Sequence, residues 1–434
     1  MLLYTDESAD EYETVTASLS IESSLIAFGL DASFLCLDHN SKSFVLNPDL
    51  TVSCGTQGTG LTIVAYQTKY RLVASIHDTF LYRNQASCGA NLFILGNEHS
   101  SQFILNNITS MRGSCVNGCG LYYKHLRLIS SNDANSVPPL FIMKSSFVNN
   151  YSFNNGSSIY ALLGTAGAYT SYSFHYIWIA GCIFIGDSAN NNLMKLYRAQ
   201  TTNTSSTVVI KIENSLFQSY FCPEGIDGNV TLFVSNCSFS GINRAVTIED
   251  NELRVENSTF GTSDSMGYPL VQSGIVAISG VVNFTGYIEF VNNNATKFGK
   301  GGALELYNSY FNAIAPVELR FVNNTASLFG GAIYVWDGIA PNKLPRCFFQ
   351  ITDLNGTIDK PQIEMYFEGN QAGKAGWTVY GGNIDNCILN CESIPHYNCS
   401  LTSSGTIFDA VSKYSSMDHE SNSTCSSLPL SLCL

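Results

Sequence analysis

Hydrophobic and polar positions in this chain alternate over short stretches, and no stretch holds a helical period together with charged partners one turn apart. Segments 207–212, 230–234 and 253–255 are short and rich in β-branched or apolar residues. They predict short strands with one buried face. Between such strands a motif returns. A Phe is followed three residues later by Asn, often two further on by Ala, and then by Gly-Gly-Ala and a hydrophobic residue. The clearest copies are Phe290, Asn293 and Ala295 before Gly301, Gly302, Ala303 and Leu304, and Phe321, Asn324 and Ala326 before Gly330, Gly331, Ala332 and Ile333. A third, decayed copy is Phe367, Asn370 and Ala372 before Gly376. Looser copies start at Leu81 with Asn84, Phe103 with Asn106, and Phe147 with Asn150. A reduced form, hydrophobic-x-Asn-Ser-x-Phe, covers 212–217 and 255–260, and 234–239 with Cys237 in place of Ser.

The repeat sets the expected fold. From Phe217 through Phe239 to Phe260 the steps are 22 and 21 residues, and onward to Phe290 and Phe321 they are 30 and 31. A turn of a right-handed parallel β-helix, with three short strands and three turns, needs roughly 20 residues or more. A Phe at one place in every turn would stack on its counterparts inside the tube. The Asn suits a tight turn, since it tolerates the left-handed region and its amide can bond along a ladder of like residues. Gly-Gly provides a sharp corner with positive φ. The expected architecture is all-β: an acidic flexible leader over 1–18, a parallel β-helix over 19–380, and a Cys-rich cap, or the start of a following module, over 381–434.

Composition narrows the function. Charged residues make up 13% of the 434 positions, about half the usual share, so Ser, Thr and Asn must supply the polar surface. A net charge of −13 argues against nucleic acid or an anionic membrane as partner, because both need a basic face. No apolar run is long enough to span a bilayer. Fourteen cysteines, an even number, accompany thirteen Asn-x-Ser/Thr sequons, at Asn107, Asn150, Asn155, Asn203, Asn229, Asn236, Asn257, Asn283, Asn294, Asn323, Asn355, Asn398 and Asn422. Together they indicate an oxidising, secretory compartment and glycosylation. Cys115 with Cys119, and Cys387 with Cys391, are spaced to close local turns. The acidic start, with Asp6, Glu7, Asp10, Glu11 and Glu13, has no signal-peptide pattern. The expectation is therefore a fragment of an extracellular or cell-surface protein whose signal and any anchor lie outside this chain.

The paired Phe-x-x-Asn and Gly-Gly-Ala-[Ile/Leu] signatures at 290–304 and 321–333 resemble the repeat of the chlamydial polymorphic outer-membrane proteins, with weaker likeness over about 80–380. The resemblance implies a β-helical, surface-exposed adhesive or structural domain. The chain lacks the C-terminal barrel pattern of that family. Its sequons and Cys-rich tail look more like eukaryotic right-handed β-helix surface proteins carrying the same repeat.

The residues offer little chemistry. A polysaccharide hydrolase would need paired carboxylates on one face, and Asn-Thr-Asp, Asp-Asp, Gly-His-Gly and Arg-Ile-Lys signatures are absent. Glu249, Asp250 and Glu252 form the densest acidic group and read as a solvated loop. His77-Asp78 is a weak acid–base signal, and His125 and His175 read as hydrogen-bonded core residues. Trp178, with Tyr172, Phe174 and Tyr176 on alternate positions, reads as core packing ahead of a sugar-binding stripe. The expectation is a non-catalytic domain without cofactor or metal, presenting a long surface to an unknown surface protein or carbohydrate. The alternative is a divergent pectate-lyase-like lyase or a glycoside hydrolase.

Overall fold

The computed structural model describes residues 16–27, 36–38, 43–45, 60–64, 71–86, 88–96, 102–128, 140–155, 157–166, 173–186, 194–198, 207–218, 230–240, 245–261, 273–295, 299–336, 349–352, 362–374, 376, 378–381, 398–403 and 408–410. Among these every regular element is a strand and none is a helix. The described strand registers are parallel, apart from one antiparallel pairing of Cys36–Asp38 with Ser43–Val45. The chain divides into two compact units, residues 1–231 and 232–434.

In the first unit the chain visits the same ladders in the same order on successive passes. One ladder stacks Thr16–Glu22, Arg71–His77, Gln102–Asn106, Leu140–Met143, Ser173–Ala180 and Thr207–Glu213 in parallel. A tight turn leads from each of these into a three-residue strand: Leu25–Ala27, Phe80–Tyr82, Thr109–Met111, Ser146–Val148, Ile183–Ile185 and Leu216–Gln218. A further ladder stacks Leu61–Val64, Leu92–Gly96, Leu121–Leu128, Ile159–Ala166 and Met194–Arg198. Alternation decides which face is buried. In Gln102–Asn106 only Phe103 and Leu105 are buried, and in Leu140–Met143 only Leu140 and Ile142.

The turn between the first two ladders explains the reduced motif. Its first residue is left-handed on each pass, with φ of 50° at Asp78, 55° at Asn107, 49° at Lys144, 63° at Gly181 and 48° at Asn214. Asn and Gly reach this region at least cost. At the next position the Ser145 hydroxyl donates to the Met143 carbonyl at 2.8 Å and accepts the Ile108 N–H at 3.1 Å from the preceding pass. Ser215 does the same with Glu213 and with the Cys182 N–H. Each hydroxyl therefore caps its own turn and ties it to its neighbour.

In the second unit the two ladders run together as the longer strands Glu252–Gly261, Val281–Val291 and Tyr310–Val322, followed by Gln362–Glu368. Along their axis Phe239, Phe260, Phe290, Phe321 and Phe367 stack with centroids 4.8, 4.9, 5.1 and 4.9 Å apart and rings within 14° of parallel. The first unit carries a matching stack of Phe147, Phe184 and Phe217 at 5.2 and 4.7 Å. Short pairings of Asn294–Ala295, Thr325–Ala326 and Gln371–Ala372 follow Phe290, Phe321 and Phe367. A third ladder stacks Val246–Glu249, Ile275–Ile278, Leu304–Tyr307, Ile333–Trp336, Val379–Gly381 and Phe408–Ala410. Pairing runs on past residue 380, since Asn398–Ser403 also aligns with Gln362–Glu368. At the other end Thr16–Glu22 begins within the segment expected to be leader.

Candidate functional site

The Asn of each full motif is buried and bonded to the next. Asn293 Nδ2 donates to Asn324 Oδ1 at 2.8 Å, and Asn324 Nδ2 to Asn370 Oδ1 at 3.0 Å. The same amides donate backwards to the Phe carbonyl of the preceding pass: Asn293 to Phe260 at 3.1 Å, Asn324 to Phe290 at 3.0 Å and Asn370 to Phe321 at 2.9 Å. Their Oδ1 atoms also accept the Asn293 and Asn324 backbone N–H groups. The ladder follows the sequence reading, but the turn conformation does not. The left-handed residue is the one before, with φ of 55° at Asn292, 53° at Asn323 and 64° at Gly369. The Asn at the third position is selected for its amide.

The Gly-Gly corner divides its work between its two residues. Gly301, Gly330 and Gly376 have φ of 45°, 64° and 65°. Gly302 lies against the next pass, where a Cβ would run into the Gly331 carbonyl. Ala303 and Ala332 are fully buried behind it. In the first unit Leu81 with Asn84 keeps the pattern, Asn84 donating to Asn91 at 2.9 Å and Asn91 to Asn150 at 3.1 Å. The copy at Phe103 is out of register. Phe103 pairs with Ala74 and Leu140 in the preceding ladder, and Ser110 holds the position between Leu81 and Phe147. Periodicity at one Phe could not separate these neighbouring strand positions.

Beside the core, the third ladder of the second unit carries an aromatic layer that is exposed at Trp336, half-buried at Tyr307, Phe329 and Tyr380, and buried at Tyr334. Leu304, Leu306, Ile333, Val335 and Val379 turn inward and are buried. The alternate positions carry Glu305, Tyr307, Tyr334, Trp336 and Tyr380. Tyr307 lies 5.9 Å from both Tyr334 and Trp336, Tyr334 stacks on Tyr380 at 5.8 Å, and Phe329 stacks on Tyr380 at 4.6 Å. Trp336 is 37% exposed. Lys300 Nζ lies 4.9 Å from the Tyr334 ring centre and 5.8 Å from that of Tyr307, while Lys374 Nζ lies 6.0 Å from that of Phe329. Glu305 is buried beneath the rings and accepts from the Ser273 hydroxyl and, at 2.9 Å, from the Tyr307 phenol. Burial, reinforced by Tyr380 and the Glu305 carboxylate, pushes the Tyr334 phenol up to about 12, so it remains a neutral hydrogen-bonding group. The sequence reading missed this face because its aromatic residues are scattered over some 75 positions. A signal was there: Tyr307 and Trp336 each stand six residues after the first Gly of a Gly-Gly-Ala corner, and Tyr334 stands four after.

The other candidates are placed as follows. Trp178 is on an outer face, not in the core. Its flanking Ile177 and Ile179 are buried, while the indole packs on Phe141 at 5.5 Å, lies under Lys211, and donates to Glu213 at 2.6 Å. Tyr172 lies outside the described residues, as do the sequons Asn203, Asn229, Asn355 and Asn422. Asp78 is a turn residue accepting from Asn107 Nδ2 at 2.6 Å. Asp250 is a left-handed turn residue, and Glu252 pairs with Arg254 at 2.6 Å. No cluster of metal-ligating side chains occurs among the described residues, and no described helix is long and apolar enough to cross a membrane. Cys115 and Cys119 form a disulfide, as their spacing predicts. Cys182 and Cys237 are buried thiols on the Ser position of the turn, each donating to a carbonyl two residues back, Ala180 and Ser235. Of the sequons, Asn107, Asn236, Asn257 and Asn323 are exposed left-handed turn residues. Asn294 is half-buried, and Asn283 is buried, donating to Glu252 at 2.6 Å. Asn150 is buried, and its Nδ2 donates to the Ser110 carbonyl at 3.0 Å. At 3% exposure, Asn150 leaves no room for a glycan. No family model, curated protein or solved structure matches the chain.

Proposed function

We propose that each unit winds as a right-handed parallel β-helix, and that the chain is an extracellular, glycosylated, non-catalytic domain presenting a long surface to protein or carbohydrate. The handedness follows from the strong preference of parallel crossovers for the right hand. The observation that carries the reading is where the repeated residues direct their polar groups. The Asn amides bond to one another and to the Phe carbonyls of the neighbouring pass, so the motif serves to maintain the stack. The resemblance to polymorphic outer-membrane protein repeats, and through it to surface proteins, rests on the same residues.

The test is site-by-site glycan occupancy, by mass spectrometry, on protein secreted from a eukaryotic host, together with adhesion of that protein to cells. Occupancy is expected at the exposed turn residues Asn107, Asn236, Asn257 and Asn323. None is expected at Asn150. An unmodified protein that adheres to nothing would overturn the reading.

A further inference from the structure

We propose that the face formed by Tyr307, Phe329, Trp336 and Tyr380 over the buried Tyr334, with Lys300 at its edge, binds an oligosaccharide containing an acidic sugar. The inference rests on the adhesive reading above and names the ligand class and the site. Three features select that ligand.

Tyr307, then Tyr334 with Trp336, then Tyr380 belong to three successive strands, and rings on neighbouring strands lie 5.8–5.9 Å apart. A pyranose is comparable in length, so consecutive sugars of an extended chain can each meet a ring. A sugar offers an apolar C–H face bordered by hydroxyls, and Tyr and Trp offer an apolar ring with a polar tip. A polar partner stands among the rings: the Tyr307 phenol is oriented by buried Glu305.

Charge chooses among sugars. Lys300 lies over Tyr307 and Tyr334 and makes no ion pair among the described residues, and Lys374 flanks the patch on the Phe329 side. Glu305, the carboxylate beneath the rings, is buried and already accepts two hydroxyl donors. A chain of net charge −13 thus presents the Lys300 ammonium beside its aromatic face, where the carboxylate of a uronic acid would find it. None of the described strands of this third ladder carries a sequon. Glycans attached at the turns would leave the face open.

The experiment titrates the full chain with a hexameric uronic-acid oligosaccharide and with a neutral glucose hexasaccharide, read by calorimetry and Trp fluorescence. The wild-type chain is expected to bind the acidic hexamer more tightly. Trp336→Ala should weaken both ligands at least tenfold. Lys300→Gln should weaken the acidic hexamer alone. Circular dichroism and the unfolding midpoint of both variants should match wild type, since both side chains are at the surface. Absence of acidic-hexamer binding overturns the proposal, as does binding that Trp336→Ala leaves unchanged. If the sugars fail but the protein still adheres to cells, the ligand class is wrong and the adhesive reading stands. If adhesion fails as well, both fall.

Discussion

Truncating Asn324 to Ala removes one rung from the amide ladder, and its cost can be worked from the bonds it breaks. The side chain is fully buried. Its Oδ1 accepts the Asn293 N–H at 3.2 Å and Asn293 Nδ2 at 2.8 Å, and its Nδ2 donates to the Phe290 carbonyl at 3.0 Å and Asn370 Oδ1 at 3.0 Å. Two of the four partners keep another bond: Asn293 Nδ2 retains the Phe260 carbonyl, and Asn370 Oδ1 retains the Asn324 N–H. The Asn293 N–H and the Phe290 carbonyl each lose a partner away from water. At about 1–3 kcal/mol for each of these two groups, the substitution should cost about 2–6 kcal/mol. Trp178 belongs to the first unit and Trp336 to the second. In a Trp178→Phe background, urea unfolding followed by Trp fluorescence therefore reports residues 232–434. With a slope of about 2–3 kcal/mol/M, the midpoint should fall by about 1–3 M. The neighbouring Asn323→Gly is the control. It is exposed with φ of 53°, so Gly there should change stability by less than about 1 kcal/mol. Equal effects at the two positions would refute the reasoning.

Further outcomes follow from the same geometry. Gly302→Ala should destabilise the second unit by at least about 1–3 kcal/mol, because its Cβ would meet the Gly331 carbonyl. Gly181→Asn should be tolerated in thermal unfolding, since φ is 63° and the nearest atom to a Cβ is 3.9 Å away. Phe290→Ala should cost about 3–5 kcal/mol in the urea assay, as the ring is fully buried between Phe260 and Phe321. Burial pushes the Cys182 thiol up to about 11 from 9.0. The folded chain therefore keeps a proton that the unfolded chain releases. Stability from this group is intact below about pH 9 and is lost as pH rises towards 11, by an amount of order 2–3 kcal/mol. Cys182→Ser should lessen that alkaline loss in pH-dependent unfolding, and the native thiol should resist alkylation at pH 8.

Much of the fold was legible because its determinants repeat. Phe290 and Phe321 have matched neighbours 31 residues apart, and each makes the same contacts with the next pass, so spacing alone identified the stack. The positive φ of Gly301 and Gly330 was equally readable, because few other residues adopt it. Where one residue stands for two roles the reading went astray. Asn293 looked like a turn residue, yet Asn292 makes the turn and Asn293 the ladder. Phe103 looked like a motif Phe, yet it packs in the preceding ladder, because a lone buried Phe fits either strand. Trp178 looked like core, since alternation gives faces but not which face is inside. The outer aromatic face was least legible. Its members come together only after the passes stack Tyr307 beside Tyr334 and Trp336.

The central claim is that Phe-x-x-Asn motifs far apart in sequence are bonded neighbours along one axis. Site-resolved amide hydrogen exchange on the Asn370→Ala variant tests it most directly. Asn370 Oδ1 accepts the Asn324 N–H across 46 residues, whereas the Asn293 N–H is accepted by Asn324 Oδ1. The account predicts slow exchange at both amides in the wild-type chain, and a selective, large acceleration at Asn324 in the variant. Unprotected amides in the wild-type chain would contradict it, as would an effect confined to residues near 370 in sequence.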